Sequence, residues 1–196
     1  MQITALKKQV RRPDRVNVFV DGKYALSLSF DQLVTHKVSN GQELDAKKLK
    51  SLQKISTDGK LRERALAWLL IRPHSERELR DYLRRKKAAD ELTEKIVTEF
   101  TQKEYLNDQK FAHWLTELRI RGGRSNRAIK SELFAKGVSR EVIDDSLGLF
   151  DDESERLQQL IAKKRQTARY QKDESKLKQY LVQQGYSYSL VKEILK

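Results

Sequence analysis

The sequence predicts a mainly α-helical protein. It reads as three tandem three-helix repeats forming an elongated, curved solenoid, preceded by a small β-meander with short helices. Three observations carry this. Two prolines and eight glycines in 196 residues, among abundant Leu, Lys, Arg, Glu, Ala and Gln, favour helices. Period-two alternation is confined to the first 30 residues or so. From residue 58 on, the apolar pattern is helical and recurs: shifting by 48 puts Ile129 on Leu177, Leu133 on Leu181 and Gly137 on Gly185. Val138 then falls on Tyr186, Ile143 on Val191 and Leu147 on Leu195. Shifting by 50 puts Ser75 on Ser125, Leu79 on Ile129 and Leu83 on Leu133.

The elements follow in order. Val16, Val18 and Val20 alternate with Asn17 and Phe19; Tyr24, Leu26 and Leu28 alternate with Ala25 and Ser27. Asp21-Gly22 between them is a type I′ hairpin signal, and Ile3–Val10 is a third strand. Asp31–Lys37 reads as a short helix ended by Ser39-Asn40-Gly41. Asp45 caps a second short helix carrying Leu49, Leu52 and Ile55. The module spans 1–57, and the repeats span 58–106, 107–150 and 151–196. Ala65–Ile71, around Trp68, is apolar on every side and is expected to be buried. Ser75-Glu76-Arg77-Glu78 is a capping box after Pro73, and Gly137 and Gly185 close helices.

Charge narrows the function. Lys and Arg number 41 against 28 Asp and Glu, a net +13. Residues 1–57 carry net +6 and the remainder +7, so the module is the more densely basic part. The partner expected is acidic: nucleic acid, a nucleoprotein or an acidic protein face. No 18-residue apolar run is present, so no membrane span is expected. The start lacks a signal-peptide hydrophobic region. The absence of cysteine excludes a disulfide framework, a cysteine zinc site and a cysteine nucleophile. A cytoplasmic monomer is the resulting expectation.

The candidate binding residues are basic clusters. Lys7, Lys8, Arg11 and Arg12, with Arg15, surround the first strand and turn. Arg77, Arg80, Arg84 and Lys87 are spaced by 3, 4 and 3 on the middle helix of the first repeat, with Arg85 beside them. Arg119, Arg121, Arg124 and Arg127 ring the Gly122-Gly123 turn, with Lys130 one helical turn on. A flexible turn among guanidiniums suits a phosphate or carboxylate. Lys163, Lys164 and Arg165, followed by Arg169, lie on the first helix of the third repeat. Each cluster also has a plainer use as a solvated face.

Catalytic chemistry is not indicated. His36, His74 and His113 have no metal-site spacing. No dinucleotide or P-loop glycine motif follows a strand. Asp144, Asp145, Asp151, Asp152 and Glu153 form an acidic cluster of the kind metal-dependent nucleases use. The last three stand where a helix begins, and acids favour that end. No cofactor or metal is expected.

Three blocks together carry a family resemblance: Ala65-Leu66-Ala67-Trp68-Leu69-Leu70 with Arg72-Pro73-His74-Ser75-Glu76-Arg77-Glu78-Leu79; Tyr105-Leu106-Asn107-Asp108-Gln109-Lys110-Phe111-Ala112; and Glu132-Leu133-Phe134-Ala135-Lys136-Gly137-Val138. In this order and spacing the chain resembles the RecX family, bacterial modulators of the RecA recombinase. Some members from Gram-positive bacteria have a similar β-rich N-terminal extension. The resemblance implies a non-enzymatic regulator, active in DNA repair, homologous recombination and the SOS response. It would bind in the groove of the RecA filament and inhibit ATP hydrolysis, strand exchange and co-protease activity. Weak binding to single- or double-stranded DNA is also implied. The family has no catalytic motif to carry over, and its contact residues do not transfer to positions here. The alternative reading is a direct DNA-binding protein whose helix triplets act like helix-turn-helix units. A nuclease using Asp144, Asp145 and Asp151 stands far behind both.

Overall fold

The computed structural model describes residues 1–150 and 152–195. It begins with an antiparallel sheet of β1 (Ile3–Lys8), β2 (Arg15–Val20) and β3 (Lys23–Ser29), in the order β1-β2-β3. Asp21 and Gly22 turn the hairpin with φ of 47° and 80°. A type I′ turn needs two positive φ angles, and Asp-Gly supplies them at little steric cost. Val16, Val18 and Val20 form one buried row. The third strand departs from the expected alternation. Val18 pairs with Leu26 but Phe19 pairs with Tyr24, so a bulge absorbs one residue of β3. Tyr24 therefore leaves the face of Leu26 and Leu28 and sets its ring edge-on to Phe19, with centroids 6.1 Å apart.

The first helix, α1 (Phe30–Thr35), opens on a capping box between Ser29 and Gln32. It ends before the expected Ser39-Asn40-Gly41, because Lys37 takes the left-handed conformation (φ 51°). The amides of Lys37 and Val38 then bond back to the carbonyls of Val34 and Leu33.

The next helix corrects the expected second short helix. Asp45 does cap it, accepting from Lys48 N at 2.6 Å. However, α2 (Ala46–Leu69) runs for 24 residues, and position 57 lies inside it. No proline interrupts this stretch. Its one glycine, Gly59, has a packing role, since a Cβ there would lie 2.3 Å from the Gln32 side-chain nitrogen. Buried Arg15 fastens β2 to this helix, donating to Glu63 Oε1 at 2.5 Å and to the Ser27 carbonyl at 2.6 Å. Ile3, Val18, Val20, Leu26, Leu28, Val38, Leu44 and Leu52 make the module's core.

The remaining helices are α3 (Glu76–Arg85), α4 (Asp90–Gln102), α5 (Asp108–Arg121), α6 (Asn126–Ala135), α7 (Arg140–Gly148), α8 (Glu153–Arg165), α9 (Ala168–Gln171), α10 (Glu174–Gln183) and α11 (Tyr188–Ile194). With the end of α2 as the first helix of the first repeat, they form the three-helix repeats, the third with an added single turn, α9. Two compact units result: Met1–Trp68 with Tyr82–Ile96, and Leu69–Asp81 with the chain from Val97 on.

In the second unit the repeat is visible in the cores. Ile129, Leu133, Val138 and Ile143 are buried in one cluster. Leu177, Leu181, Tyr186 and Val191, each 48 residues later, are buried in the next. The expectation for Ala65–Ile71 needs correction. Ala65 and Leu69 are buried, but Leu70 and Ile71 are 69% and 78% exposed. Helix α2 stops at Leu69, so these two side chains lie beyond its last turn.

Candidate functional site

The junctions between successive repeats are built alike. Ser75 Oγ caps α3 by accepting from Glu78 N (3.2 Å) and donates to the Lys136 carbonyl at the end of α6 (2.8 Å). Glu76 N, in the first turn of α3, donates to Asp108 Oδ1 at 2.9 Å. Next along, Ser125 Oγ caps α6 by accepting from Ala128 N, and Ser125 N donates to the Gln184 carbonyl at the end of α10. Asn126 N donates to Glu153 Oε1 at 2.5 Å. In each case the start of one middle helix lies against the end of the next. An acid from the following first helix meets its exposed amides, where the helix dipole favours negative charge.

The junctions differ in charge. At the first, Glu78 accepts from Arg72 (2.9 and 3.2 Å), Lys136 (2.7 Å) and the His74 ring (3.0 Å). Burial by itself would raise the Glu78 carboxyl. Hydrogen bonds from Arg72 and Lys136, the Arg72 charge and the His74 contact outweigh it and hold the pKa down at about 2. Arg72 also lies over the Trp114 ring, 5.1 Å from its centroid. At the second junction, the residue fifty places after Glu78 is Ala128. A cavity of about 260 Å³ lies there between the end of α5 and α8. Arg121, Arg124, Arg156 and Lys163 line it with Gly123, Leu160 and Tyr186, and among the described residues no carboxylate does.

The predicted guanidinium ring is thus partly redrawn. Arg119 leaves it: its Nε and Nη2 donate to Glu132 at 2.7 and 2.6 Å, and that guanidinium holds the Glu132 carboxyl below its ordinary value. Arg121 keeps an ion pair with Glu117 at 2.5 Å but is 74% exposed. Arg124 donates to the Gln183 carbonyl at 3.1 Å. Arg127 is exposed on α6, and Lys130 pairs with Asp144 at 2.6 Å. Arg156, which sequence reasoning missed, enters instead. Its Nη2 donates to Asn126 Oδ1 at 2.5 Å, while Nε and Nη1 are buried without a hydrogen-bond partner. Nothing local marks it, because it is one of many arginines beside an apolar helix position.

The other clusters are dispersed. Lys7 and Lys8 are exposed on β1, their ammonium groups 5.2 Å and 6.0 Å from the centroids of the Phe19 and Phe30 rings. Arg11 is exposed, Arg12 pairs with Glu63 at 2.8 Å, and Arg15 is a buried structural cation rather than a contact residue. Arg77 is exposed, and Arg80 Nε donates to Glu76 at 2.7 Å. Arg84 and Arg85 are exposed in the last turn of α3. Lys87 is not on that helix. Its φ of 57° places it in the left-handed cap beyond Arg85, so the four-residue face shortens to three. On α8, Lys163 and Arg165 are exposed, and Lys164 lies 4.7 Å from the centroid of the Tyr180 ring.

The acidic cluster has structural partners. Asp152 caps α8, Glu153 meets the start of α6, and Asp144 is held by Lys130. Asp145 faces a separate cavity beside His113, whose ring stacks on Phe150 at 5.4 Å. Asp151 lies outside the described residues. Among the described residues no three His, Asp or Glu side chains converge as a metal site, and no helix is long and apolar enough to cross a membrane.

Fold and junctions define a tandem three-helix-repeat protein with a β-rich N-terminal module. Family comparisons agree segment by segment. Residues 1–45 match the regulatory protein RecX N-terminal domain. Residues 62–100, 107–147 and 151–195 match the RecX first, second and third three-helix domains. A Clostridium botulinum regulatory protein RecX is 30% identical over 202 residues, covering 100% of this chain and 95% of its own. A Listeria monocytogenes regulatory protein RecX is 28% identical, covering 98% and 74%. A crystal structure of regulatory protein RecX superposes with a TM-score of 0.72 at 24% identity, covering 98% of each chain. That of RecX from Lactobacillus salivarius gives 0.59 at 24%, covering 70% of this chain and 94% of the other. The chain belongs to the RecX family.

Proposed function

We propose that this protein modulates a RecA recombinase filament. It binds in the helical groove of the filament on single-stranded DNA and inhibits ATP hydrolysis, strand exchange and co-protease activity. The observation that carries this reading is the succession of RecX N-terminal, first, second and third three-helix domains in order along the chain, with relatives named as regulatory proteins. Exposed cations on successive repeats, among them Arg77, Arg127 and Lys163, suit a repetitive acidic partner. The protein acts by binding rather than by catalysis, in the cytoplasm where such filaments assemble. The test is DNA-dependent ATP hydrolysis by the recombinase with increasing amounts of this protein. Slowing at substoichiometric ratios is expected, and an unchanged rate at equimolar protein overturns the reading.

A second reading, direct DNA binding, is favoured by the cavity at the second junction, which Arg121, Arg124, Arg156 and Lys163 line. Salt separates the two. Phosphate-dominated binding weakens steeply with ionic strength, whereas a protein groove with apolar anchors weakens less.

A further inference from the structure

We propose that the cavity between the end of α5 and α8 is a receptor for a terminal phosphate, a group carrying about two negative charges. This inference stands apart from the filament reading, since it concerns a small anion and needs no recombinase.

The two repeat junctions supply the argument. At the first, the carboxylate of Glu78 gathers Arg72, His74 and Lys136, so the cations are neutralised from within. At the second, Ala128 stands in the corresponding place. The arrangement corresponds, with the Ser125 backbone amide donating to the Gln184 carbonyl where the Ser75 hydroxyl donates to that of Lys136. The cations remain, from other positions: Arg121, Arg124, Arg156 and Lys163. Among the described residues no acidic side chain lines the cavity they share. Glu153 is turned to the Asn126 amide, and Glu117 holds only the outermost arginine, Arg121.

A guanidinium with buried, unbonded nitrogens is costly unless an acceptor is supplied. Arg156 is in that state at Nε and Nη1. Four cations also exceed what one carboxylate balances. A terminal phosphate offers three acceptor oxygens and the higher charge, and guanidinium forks match its geometry. Gly123, at φ 78°, brings backbone to the cavity wall without a side chain. A volume of about 260 Å³ holds a pyrophosphate. Two sources share this chemistry: the phosphates of a free nucleotide and the 5′-phosphorylated end of a nucleic-acid strand.

The experiment is calorimetric titration of the full-length protein with pyrophosphate and with ATP. Fluorescence anisotropy with one oligonucleotide in 5′-phosphate and 5′-hydroxyl forms accompanies it. Pyrophosphate is expected to bind, and the surface double variant R124A/K163A to lose at least tenfold in affinity. R156Q should lose as much. Should R156Q not fold, the double variant alone decides. The control K47A/K50A, at two exposed lysines outside every candidate cluster, should retain wild-type affinity. Tighter binding of the 5′-phosphate oligonucleotide identifies a strand end as the source; ATP binding with equal oligonucleotide affinities identifies a nucleotide. No pyrophosphate binding at millimolar concentration, or equal losses in R124A/K163A and K47A/K50A, overturns the proposal.

Discussion

A Cβ built on Gly185 would lie 2.4 Å from the hydroxyl of Ser125, the cap residue of the preceding repeat. The same atom would lie 2.7 Å from the Ala128 Cβ, and the glycine has φ of 101°. Gly137 holds the matching place one repeat earlier, with φ of 83° and Arg77 Cβ at 3.0 Å. These glycines therefore serve both as left-handed helix ends and as contact points between repeats.

Gly185→Ala should accordingly combine backbone strain with a clash and destabilise by roughly 2–4 kcal/mol. Gly41→Ala is the internal comparison, with φ of 83° but open space around it. It should cost only about 1–2 kcal/mol, the left-handed penalty alone. Urea denaturation of the two variants measures the difference. Equal losses would show that the contact with Ser125 is slack.

Glu78 gives a pH signature. Its carboxyl sits at about 2 in the folded protein, below the ordinary 4.5. A depressed carboxylate contributes stability above its unfolded pKa, and that contribution is lost as pH falls towards the folded value. Stability should therefore decline between about pH 4.5 and pH 2, and Glu78→Gln should flatten that part of the decline. At neutral pH the substitution leaves Arg72 and Lys136 without their carboxylate and should cost about 1.5–3 kcal/mol. Denaturation series at pH 7 and pH 3 test both statements.

Arg119 and the pair Arg121 and Arg124 should behave oppositely. Arg119→Ala removes a two-pronged ion pair with Glu132 and should lower stability by about 0.5–1 kcal/mol. Arg121→Ala and Arg124→Ala alter exposed side chains and should change stability by about 0.5 kcal/mol or less each. Together they should weaken filament or DNA binding. Parallel losses of folding and binding would make them structural.

Arg15 links the module to α2. Arg15→Met leaves Glu63 and the Ser27 carbonyl without the guanidinium that joins them and should cost about 3 kcal/mol. A deletion of residues 1–56 cuts α2 within its length and removes the whole buried core of the module, from Ile3 to Leu52, that packs on it. Shortening from the start of the chain should thus lower the melting temperature of the remaining helices. Retention of the full-length melting temperature would show that α2 stands without the sheet.

Local signals made much of this legible from residue order. The helix cap at Ser75 is read from one side chain and the amide three residues on, and the structure repeats it at Ser125, Ser139 and Ser187. The shift of 48 that aligns Gly137 with Gly185 also aligns the buried rows, because a repeated backbone demands repeated apolar spacing. Errors arose where a feature turns on a neighbour distant in the chain. The bulge at Phe19 and Tyr24 breaks a strict alternation, and α2 runs on through position 57.

By itself the sequence determined the order of a β-rich module and three helical repeats, the hairpin turn and the basic character. The turn and the helices follow from backbone preferences within a few residues, and the repeats from the recurrence of the same apolar spacing about 48 residues on. Only the tertiary structure decided which cations are neutralised. Arg119 meets Glu132 thirteen residues away, Arg15 meets Glu63 at 48, and Arg156 reaches the Gly123 turn from the next repeat. An arginine's partner depends on which surfaces pack together, and the residues flanking it carry no record of that contact.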